Sequence, residues 1–144
     1  MDIPAEEARA LFAAARVARL ATADASGRPH LVPVTFVVAG AHVYFAVDAK
    51  PKRTPHLRRL RNIEANPQVS LLVDEYAEDW RQLWWVRADG LARIRAAADL
   101  PDVLSLLRGK YPQYADMPGP LPGPLVEIAV TWTGWRFAAA GSLP

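Results

Sequence analysis

The sequence predicts a mainly β fold, an antiparallel barrel of about six strands with about three helices. Short runs rich in β-branched and aromatic residues alternate with tight-turn sequences, a pattern typical of consecutive hairpins. Helical patterns are few and do not alternate regularly with the strands, which argues against a doubly wound parallel sheet. A length of 144 residues fits one hydrophobic core, so we expect a single domain over 1–144 whose strands close into one barrel.

Each element is predicted from a local signal. The first helix has Asp2 as its expected cap and Pro4 in its first turn. Pro33 lacks an N–H group, so its strand is expected to be an edge or bulged strand. Gly90 suggests a bulge or bend, and Thr133-Gly134 a turn between two short final strands. The other predicted elements are strands 17–23, 30–38, 42–47 and 68–74, one long strand or a bent pair over 80–94, and helices from Thr54 to Asn66 and around 100–109.

Composition excludes several classes of protein. Apolar residues make up 51% and charged residues 22% of the chain, an ordinary globular balance. No stretch approaches the roughly 20 apolar residues of a membrane helix, and the N-terminus has no signal pattern. Cysteine is absent, which excludes disulfides and thiolate chemistry. We therefore expect a cytoplasmic protein with no membrane partner.

A basic cluster is the strongest chemical signal in the sequence. Lys50, Lys52, Arg53 and Thr54 lie within five residues, at the expected start of a helix. A helix start presents unpaired N–H groups and partial positive charge, and lysine and arginine add charge-assisted donors. The cluster therefore suggests a phosphate site, although a solvated basic loop is an alternative. It is confined to one segment without interleaved aromatic residues, so no nucleic-acid partner is expected.

Two further segments are candidates for ligand contact. A strand interrupted at Pro33 leaves backbone groups unpaired, so a flat ring could lie against the segment that ends at Thr35; a simple edge-strand proline is the alternative. Trp84 and Trp85 are adjacent, so on a strand they face opposite sides. One can fill the core while the other stacks on a ligand or a partner subunit, although packing alone could explain both.

Other chemistries are not supported by the sequence. The three histidines lack the spacing of metal ligands, so no metal site is expected. Neither a nucleophile elbow, a Walker sequence nor a dinucleotide-binding glycine motif is found. No catalytic residue can be identified, and any enzymatic activity would have to take its chemistry from a cofactor.

Five segments together resemble the pyridoxamine 5'-phosphate oxidase-like split-barrel superfamily. They are GRPHLVPVTFVV, VYFAVDAKPKRT, LRNIEANPQVSLLVD, WWVRADGLARI and TWTGWRF. Within the superfamily, the sequence is most similar to the branch that uses the deazaflavin coenzyme F420. The resemblance implies a six-stranded antiparallel split β-barrel and a homodimer, with cofactor sites at the subunit interface.

The resemblance also implies roles for individual residues. The strand matching Pro33, Val34 and Thr35 lines the flavin ring in the family, and Trp135 and Arg136 match residues that approach the site from the interface. The loop matching the basic cluster holds the phosphate there; its matched residues are Lys50, Lys52, Arg53 and Thr54.

Two departures argue against vitamin B6 oxidation. Trp85 stands where pyridoxamine phosphate oxidases carry a flavin-contacting glutamine, and their C-terminal Arg-x-His is missing. We therefore expect an F420-dependent oxidoreductase that transfers hydride between the deazaflavin and a small unsaturated organic substrate. The alternatives are an FMN-dependent oxidoreductase and a non-catalytic protein that binds a flavin, a deazaflavin or haem.

Overall fold

The computed structural model describes residues 1–47, 58–114 and 123–137. The predicted start of the second helix, at Thr54, lies outside these ranges. The mainly β class with three α-helices is confirmed, but the described residues form seven strands instead of six. The helices are α1 (Ala5–Ala14), α2 (Arg58–Ala65) and α3 (Pro101–Lys110); the strands are β1 (Ala18–Ala23), β2 (Pro29–Val34), β3 (Val37–Ala39), β4 (His42–Ala46), β5 (Gln68–Glu75), β6 (Trp84–Arg95) and β7 (Leu125–Arg136).

All seven strands form one antiparallel sheet in the order β2-β1-β5-β6-β7-β4-β3. Strands β2 and β3 are therefore at opposite edges, yet only Thr35 and Phe36 separate them along the chain. Three Cα–Cα steps span at most about 11 Å, so the sheet must curl until its two edges meet. The result is a barrel with a seam, which we define as the boundary between β2 and β3. At the seam, these two strands are connected by the chain itself and not by a ladder of hydrogen bonds. This is the split β-barrel architecture.

The prediction of one continuous strand over 30–38 is wrong, because the chain changes edges at the seam. Phe36 is fully buried in the barrel, and its N–H donates to the Tyr111 hydroxyl (3.1 Å) instead of to a strand. The apolar pattern continues across this point, so the sequence alone does not show the break. The expectation that Pro33 lies on an edge strand is confirmed, since β2 pairs only with β1.

Two glycines also differ from expectation. Strands β6 and β7 pair without a bulge along their full length, so Gly90 is not a bend and Gly134 is not a turn. A Cβ atom at Gly90 would lie 1.8 Å from the Ala129 carbonyl oxygen, and one at Gly134 would lie 3.1 Å from the Ile3 Cβ. Gly90 therefore has no room for a side chain, whereas a side chain at Gly134 would require Ile3 to shift by a few tenths of an ångström.

The first helix begins differently from the prediction. Pro4 is the N-cap of α1, and no side chain caps the helix. Asp2 instead forms an isolated bridge with Trp135 on β7. The predicted cap is wrong because the N-terminal residues are drawn into pairing with the end of the sheet.

Buried side chains form two clusters, one inside the barrel and one outside it. Helix α1 contributes Phe12 to the inner cluster, with its ring centroid 4.8 Å from that of Phe36 and 5.1 Å from that of Trp132. The outer cluster lies between α3 and the outward face of β3, β4 and the first residues of β7. Its buried members are Val37, Tyr44, Val103, Leu107, Tyr111 and Leu125.

Helix α3 therefore divides the outward face of the sheet into two parts. We call the part under α3, on β3, β4 and the start of β7, the covered half. The outward side chains of β1, β2, β5, β6 and the rest of β7 form the open face. In the described part of the chain, no helix is long and apolar enough to cross a membrane.

Candidate ligand-binding face

The register of the strands sets which side chains share the open face. Arg19 on β1 lies directly between Pro33 on β2 and Leu72 on β5, and Leu72 lies opposite Arg87 on β6. Two parallel rows flank this one; they are Leu31–Ala21–Ser70–Asp89 and Asp74–Trp85–Trp135. Side chains from five strands are thus brought together, although they are far apart in the sequence.

The open face is apolar and concave. Leu31 is 67% exposed and Leu72 38% exposed, although both occupy a sheet face. Beside them lies a recess of about 690 Å³, which we call the tryptophan recess because Trp85 and Trp135 line it. A second recess of about 720 Å³ is continuous with it, since Ala21 and Ser70 line both. An exposed apolar surface of this kind marks a ligand or partner site.

Most polar groups on the open face satisfy one another. Asp89 accepts hydrogen bonds from the Ser70 hydroxyl (2.5 Å) and from Arg87 Nε (2.7 Å). Burial acts to raise the pKa of Asp89, but these two hydrogen bonds outweigh it and hold the pKa below its usual value. The Arg87 guanidinium also lies 5.8 Å from the Trp85 ring centroid. Arg19 forms no ion pair within the described ranges.

The structure brings two of the sequence-predicted site residues together. Trp85 and Trp135 lie directly opposite each other on β6 and β7, and both line the tryptophan recess. Trp84 also reaches the edge of this recess but packs against the cluster inside the barrel. The adjacent tryptophans therefore divide between core and surface, as strand alternation requires.

The predicted ring-supporting segment leads from the open face to the seam. Pro33 is exposed in the same row as Arg19, whereas the Val34 side chain is buried in the barrel. Thr35 lies at the seam, where its hydroxyl shares a 2.9 Å hydrogen bond with that of Tyr114. Only Pro33 of the three thus presents its side chain to the open face.

Of the remaining predicted residues, the structure describes only Arg136, whose guanidinium is directed to α1 and not to the open face. Arg136 follows Trp135 on β7, but its guanidinium forms an ion pair with Glu7 of α1. The backbone of Met1 also forms hydrogen bonds with the backbone of Arg136, at the same end of β7. The predicted phosphate residues lie in 48–57, outside the described residues; they are Lys50, Lys52, Arg53 and Thr54.

The sequence-based prediction did not include Arg19, Leu31 or Leu72. One signal was present in QVSLLVD, since Leu71 and Leu72 are adjacent and one of them must face outward on a strand. Leu71 is fully buried and Leu72 is exposed. The other two positions needed the cross-strand register, which no local pattern supplies.

The arrangement suits a flat aromatic ligand. Two indoles and two leucines supply apolar surface for stacking, and Arg19 supplies one charged donor for a polar edge. No group of three metal-ligand side chains gathers within residues 1–47, 58–114 and 123–137. The apolar surface and Arg19 make this face a candidate for binding and orienting a planar ring.

The seam between β2 and β3 and the helix α3 on one half of the outward face define a split-barrel protein with a candidate ligand-binding face on the outside of its sheet. The chain belongs to the pyridoxamine 5'-phosphate oxidase family, whose sequence model matches residues 4–138. No curated protein sequence matches the chain significantly.

Solved structures with the same fold have different described ligands. The chain is similar to the FAD binding protein from Mycobacterium smegmatis, with 26% identity over 95% of this chain and 98% of that one, and a TM-score of 0.64. The FAD-binding protein from Mesorhizobium loti has 24% identity over 93% of both chains and a TM-score of 0.70. The haem storage protein HutZ from Vibrio cholerae has 20% identity over 91% and 90%, with a TM-score of 0.64.

Proposed function

We propose that this protein is an oxidoreductase that binds coenzyme F420 on its open face and reduces a small unsaturated organic substrate. The observation that carries the proposal is the apolar tryptophan recess, where Trp85 and Trp135 lie side by side on neighbouring strands. The recess of about 690 Å³ is within the usual size of cofactor sites. Its apolar walls and Arg19, which forms no ion pair with a described residue, fit a flat, polar-edged ring.

The chain's own residues would bind and orient the ring. Trp85 and Trp135 would stack on it or on the substrate and exclude water from the reacting faces. Arg19 would donate to a carbonyl or an anionic nitrogen at the ring's edge. The deazaflavin supplies hydride transfer when it is bound, so the protein needs no nucleophile of its own.

Two sequence features favour the deazaflavin over vitamin B6 chemistry. By the resemblance, Trp85 stands in the place of the flavin-contacting glutamine, and Trp85 lines the tryptophan recess. The Arg-x-His that binds the substrate of the oxidases is missing from the C-terminal segment. The basic residues Lys50, Lys52, Arg53 and Thr54 remain our proposed phosphate anchor.

We further propose that the protein is a homodimer that buries the open face. Leu31 on β2 and Leu72 on β5 expose apolar surface on the part of the sheet that α3 leaves uncovered. A second copy would cover these leucines and complete the walls of the recess. Two equivalent sites per dimer follow from twofold symmetry.

The first experiment is a fluorescence titration of the purified protein with F420, FMN and FAD in parallel. Binding of F420 at micromolar or lower concentration, with weaker binding of FMN and FAD, is the expected result. Failure of F420 to bind under conditions where the protein is folded would contradict the proposal.

A matched pair of variants tests where the ring lies. Trp85→Leu should weaken F420 binding about tenfold, because aromatic stacking contributes about 0.5–1.5 kcal/mol beyond the area it buries. Trp80→Leu removes an indole that is 47% exposed and does not line the recess, so it should leave the affinity unchanged. Equal effects of the two substitutions would exclude the recess as the ring site.

A flavin nucleotide is the second candidate cofactor. The structural similarity to FAD-binding proteins from Mycobacterium smegmatis and Mesorhizobium loti favours it. A yellow protein as purified, or tighter binding of FAD or FMN in the titration, would assign the protein to the flavin group. Binding without turnover of any test substrate would instead favour a carrier, a role for which HutZ is the haem-binding precedent.

A further inference from the structure

The tryptophan recess contains charges of both signs, and these charges occupy different rows of the open face. Arg19 and Arg87 lie in one row, on either side of Leu72. Asp74 lies in the neighbouring row, directly opposite Trp85. Two residues along a strand separate these rows, so they are about 7 Å apart. The recess therefore has a basic part and an acidic part.

The acidic part lies at the end of β5. Asp74 and Glu75 are the last two residues of this strand, and both are exposed and line the recess. Tyr76 follows them, is 61% exposed and also lines the recess. We call these three residues, 74–76, the acidic lip.

The acidic lip differs from the other carboxylates on the described strands. Asp89 pairs with Arg87 (2.7 Å), and Glu127 pairs with Arg95 (3.0 Å), so both of these carboxylates are bound within the sheet. Among residues 1–47, 58–114 and 123–137, Asp74 and Glu75 form no ion pair. Their described neighbours in the recess are aromatic and apolar side chains instead.

Two indoles lie in the same row as Asp74. Trp85 is opposite Asp74, and Trp135 is opposite Trp85 on the next strand. The face of an indole attracts positive charge more strongly than that of any other aromatic side chain. The chain itself shows this attraction, since the Arg87 guanidinium lies 5.8 Å from the Trp85 ring centroid. Carboxylates beside indole faces are suited to a positively charged organic group.

We propose that the acidic lip and the two indoles bind a flat organic cation, in which a positively charged nitrogen belongs to or adjoins an unsaturated ring. The proposal rests on the proposed function and names the substrate class of the same recess. Arg19 repels positive charge from the basic row, so the nitrogen is directed toward Asp74. An uncharged molecule of the same shape gains the stacking without the attraction of the carboxylates, and so binds more weakly.

Isothermal calorimetry with two probes of similar shape tests the charge preference. The probes are N-methylquinolinium, which carries a permanent positive charge, and quinoline, which is uncharged at neutral pH. We expect the wild-type protein to bind N-methylquinolinium at least tenfold more tightly than quinoline, because only the cation gains the carboxylate and indole-face attraction.

Three variants test which residues cause the preference. Asp74→Asn keeps the shape and removes the charge, so it should weaken N-methylquinolinium binding at least threefold and leave quinoline binding within twofold of wild type. Trp85→Leu should weaken the binding of both probes, since both lose stacking. Glu64→Gln is the matched control, because it removes the same charge from an exposed position on α2 that does not line the recess. Both affinities should stay within twofold of wild type in this control.

Three results would overturn the proposal: N-methylquinolinium does not bind, quinoline binds as tightly, or Asp74→Asn and Glu64→Gln lose cation affinity equally. Asp74 and Glu64 are both exposed, so these two variants should retain the wild-type thermal midpoint, and a loss of binding then reports on the site.

A parallel F420 titration separates this inference from the proposed function. If F420 fails to bind while the cation preference is present and depends on Asp74, the cation site stands and the cofactor assignment falls. If F420 binds while the two probes bind equally, the substrate class falls and the cofactor assignment stands.

Discussion

The covered half and the open face are two parts of the same sheet surface, but the burial of their apolar side chains differs. On the covered half, Val37, Tyr44 and Leu125 are buried because α3 places Val103 and Leu107 against them. On the open face, Leu31 and Leu72 occupy outward positions of the same kind and remain exposed. Among residues 1–47, 58–114 and 123–137, a helix covers one half only. The open face is the surface on which we propose that a second copy packs.

A charged cluster marks the boundary between the two parts. Glu127 on β7 is buried, accepts a hydrogen bond from Tyr44 (2.9 Å) and pairs with Arg93 (2.9 Å) and Arg95 (3.0 Å). Burial acts to raise the pKa of Glu127, but these partners outweigh it and lower the pKa. The polar groups at this boundary are therefore hydrogen-bonded to one another, whereas the covered half and the open face on either side of it are apolar.

The largest change in stability is expected when the packing of α3 on the covered half is weakened. Leu107→Ala should lower the free energy of unfolding by about 2–5 kcal/mol, because Leu107 is fully buried between α3 and the sheet. Leu106→Ala, one position along at a 46% exposed site, should cost less than about 0.5 kcal/mol. Urea unfolding measures both values. A small loss of unfolding free energy in Leu107→Ala would mean that the packing of α3 on the sheet contributes little to the stability of the fold.

The second prediction charges the open face. Leu31→Asp should weaken the proposed homodimer about thirtyfold, because Leu31 lies opposite Ala21, and an unpaired carboxylate in an apolar interface costs at least about 2 kcal/mol. Leu106→Asp places the same charge on α3 and should leave association unchanged. Sedimentation equilibrium gives the dissociation constants. A wild-type monomer, or a dimer indifferent to Leu31→Asp, would remove the second copy as the cover.

The third prediction concerns the boundary and depends on pH. Glu127→Gln should lower the free energy of unfolding by about 1.5–3 kcal/mol at pH 6, where the carboxylate is ionised and bonded to its partners. Because the folded-state pKa is below the ordinary value of 4.5, this contribution is present above pH 4.5 and is lost as the pH falls through the folded-state pKa.

Denaturant unfolding between pH 3 and 6 should therefore show the wild-type and Glu127→Gln stabilities converging in acid. Glu64→Gln, at an exposed position on α2, serves as the control and should track the wild type at every pH. A gap at Glu127 that stays constant down to pH 3 would exclude the ionised carboxylate as its source.

The smallest change in stability is expected from a substitution that stabilises helix α3. Gly109→Ala on α3 should stabilise the protein by about 0.5–1 kcal/mol, because the added Cβ meets no atom within 4 Å and the helix gains propensity. Gly90→Ala on β6 should do the opposite, since its Cβ would collide with the Ala129 carbonyl oxygen. Thermal unfolding of both variants checks the opposite signs.

Much of the fold was predictable because its local signals agree with its packing. The strands at 17–23, 42–47 and 68–74 and the helix around 100–109 follow from alternation and turn residues, and the structure confirms them. The break at Thr35 was not predictable, because it is imposed by closure of the barrel and not by the local pattern. The predictions of a bend at Gly90 and a turn at Gly134 were wrong for a related reason, since both glycines lie where segments distant in the sequence come into close contact.

The candidate site was predictable only in part. The adjacent tryptophans pointed to one outward indole, and the structure places Trp85 beside Trp135 on the open face. Arg19 and Leu31 belong to the same surface only through the register of β1, β2 and β5, which depends on the whole sheet. The basic cluster predicted at 50–54 lies outside the described residues and remains a prediction.

The seam also has a consequence for the order of folding. The hairpins β1–β2 and β3–β4 are local and share the corner at Thr35–Phe36, so the edges of the sheet are joined at almost no loop-closure cost. Strand β7, by contrast, must return from the far end of the chain to insert between β4 and β6. Chain entropy therefore makes β7 insertion the late step, so the rate of barrel formation should depend on the C-terminal strand.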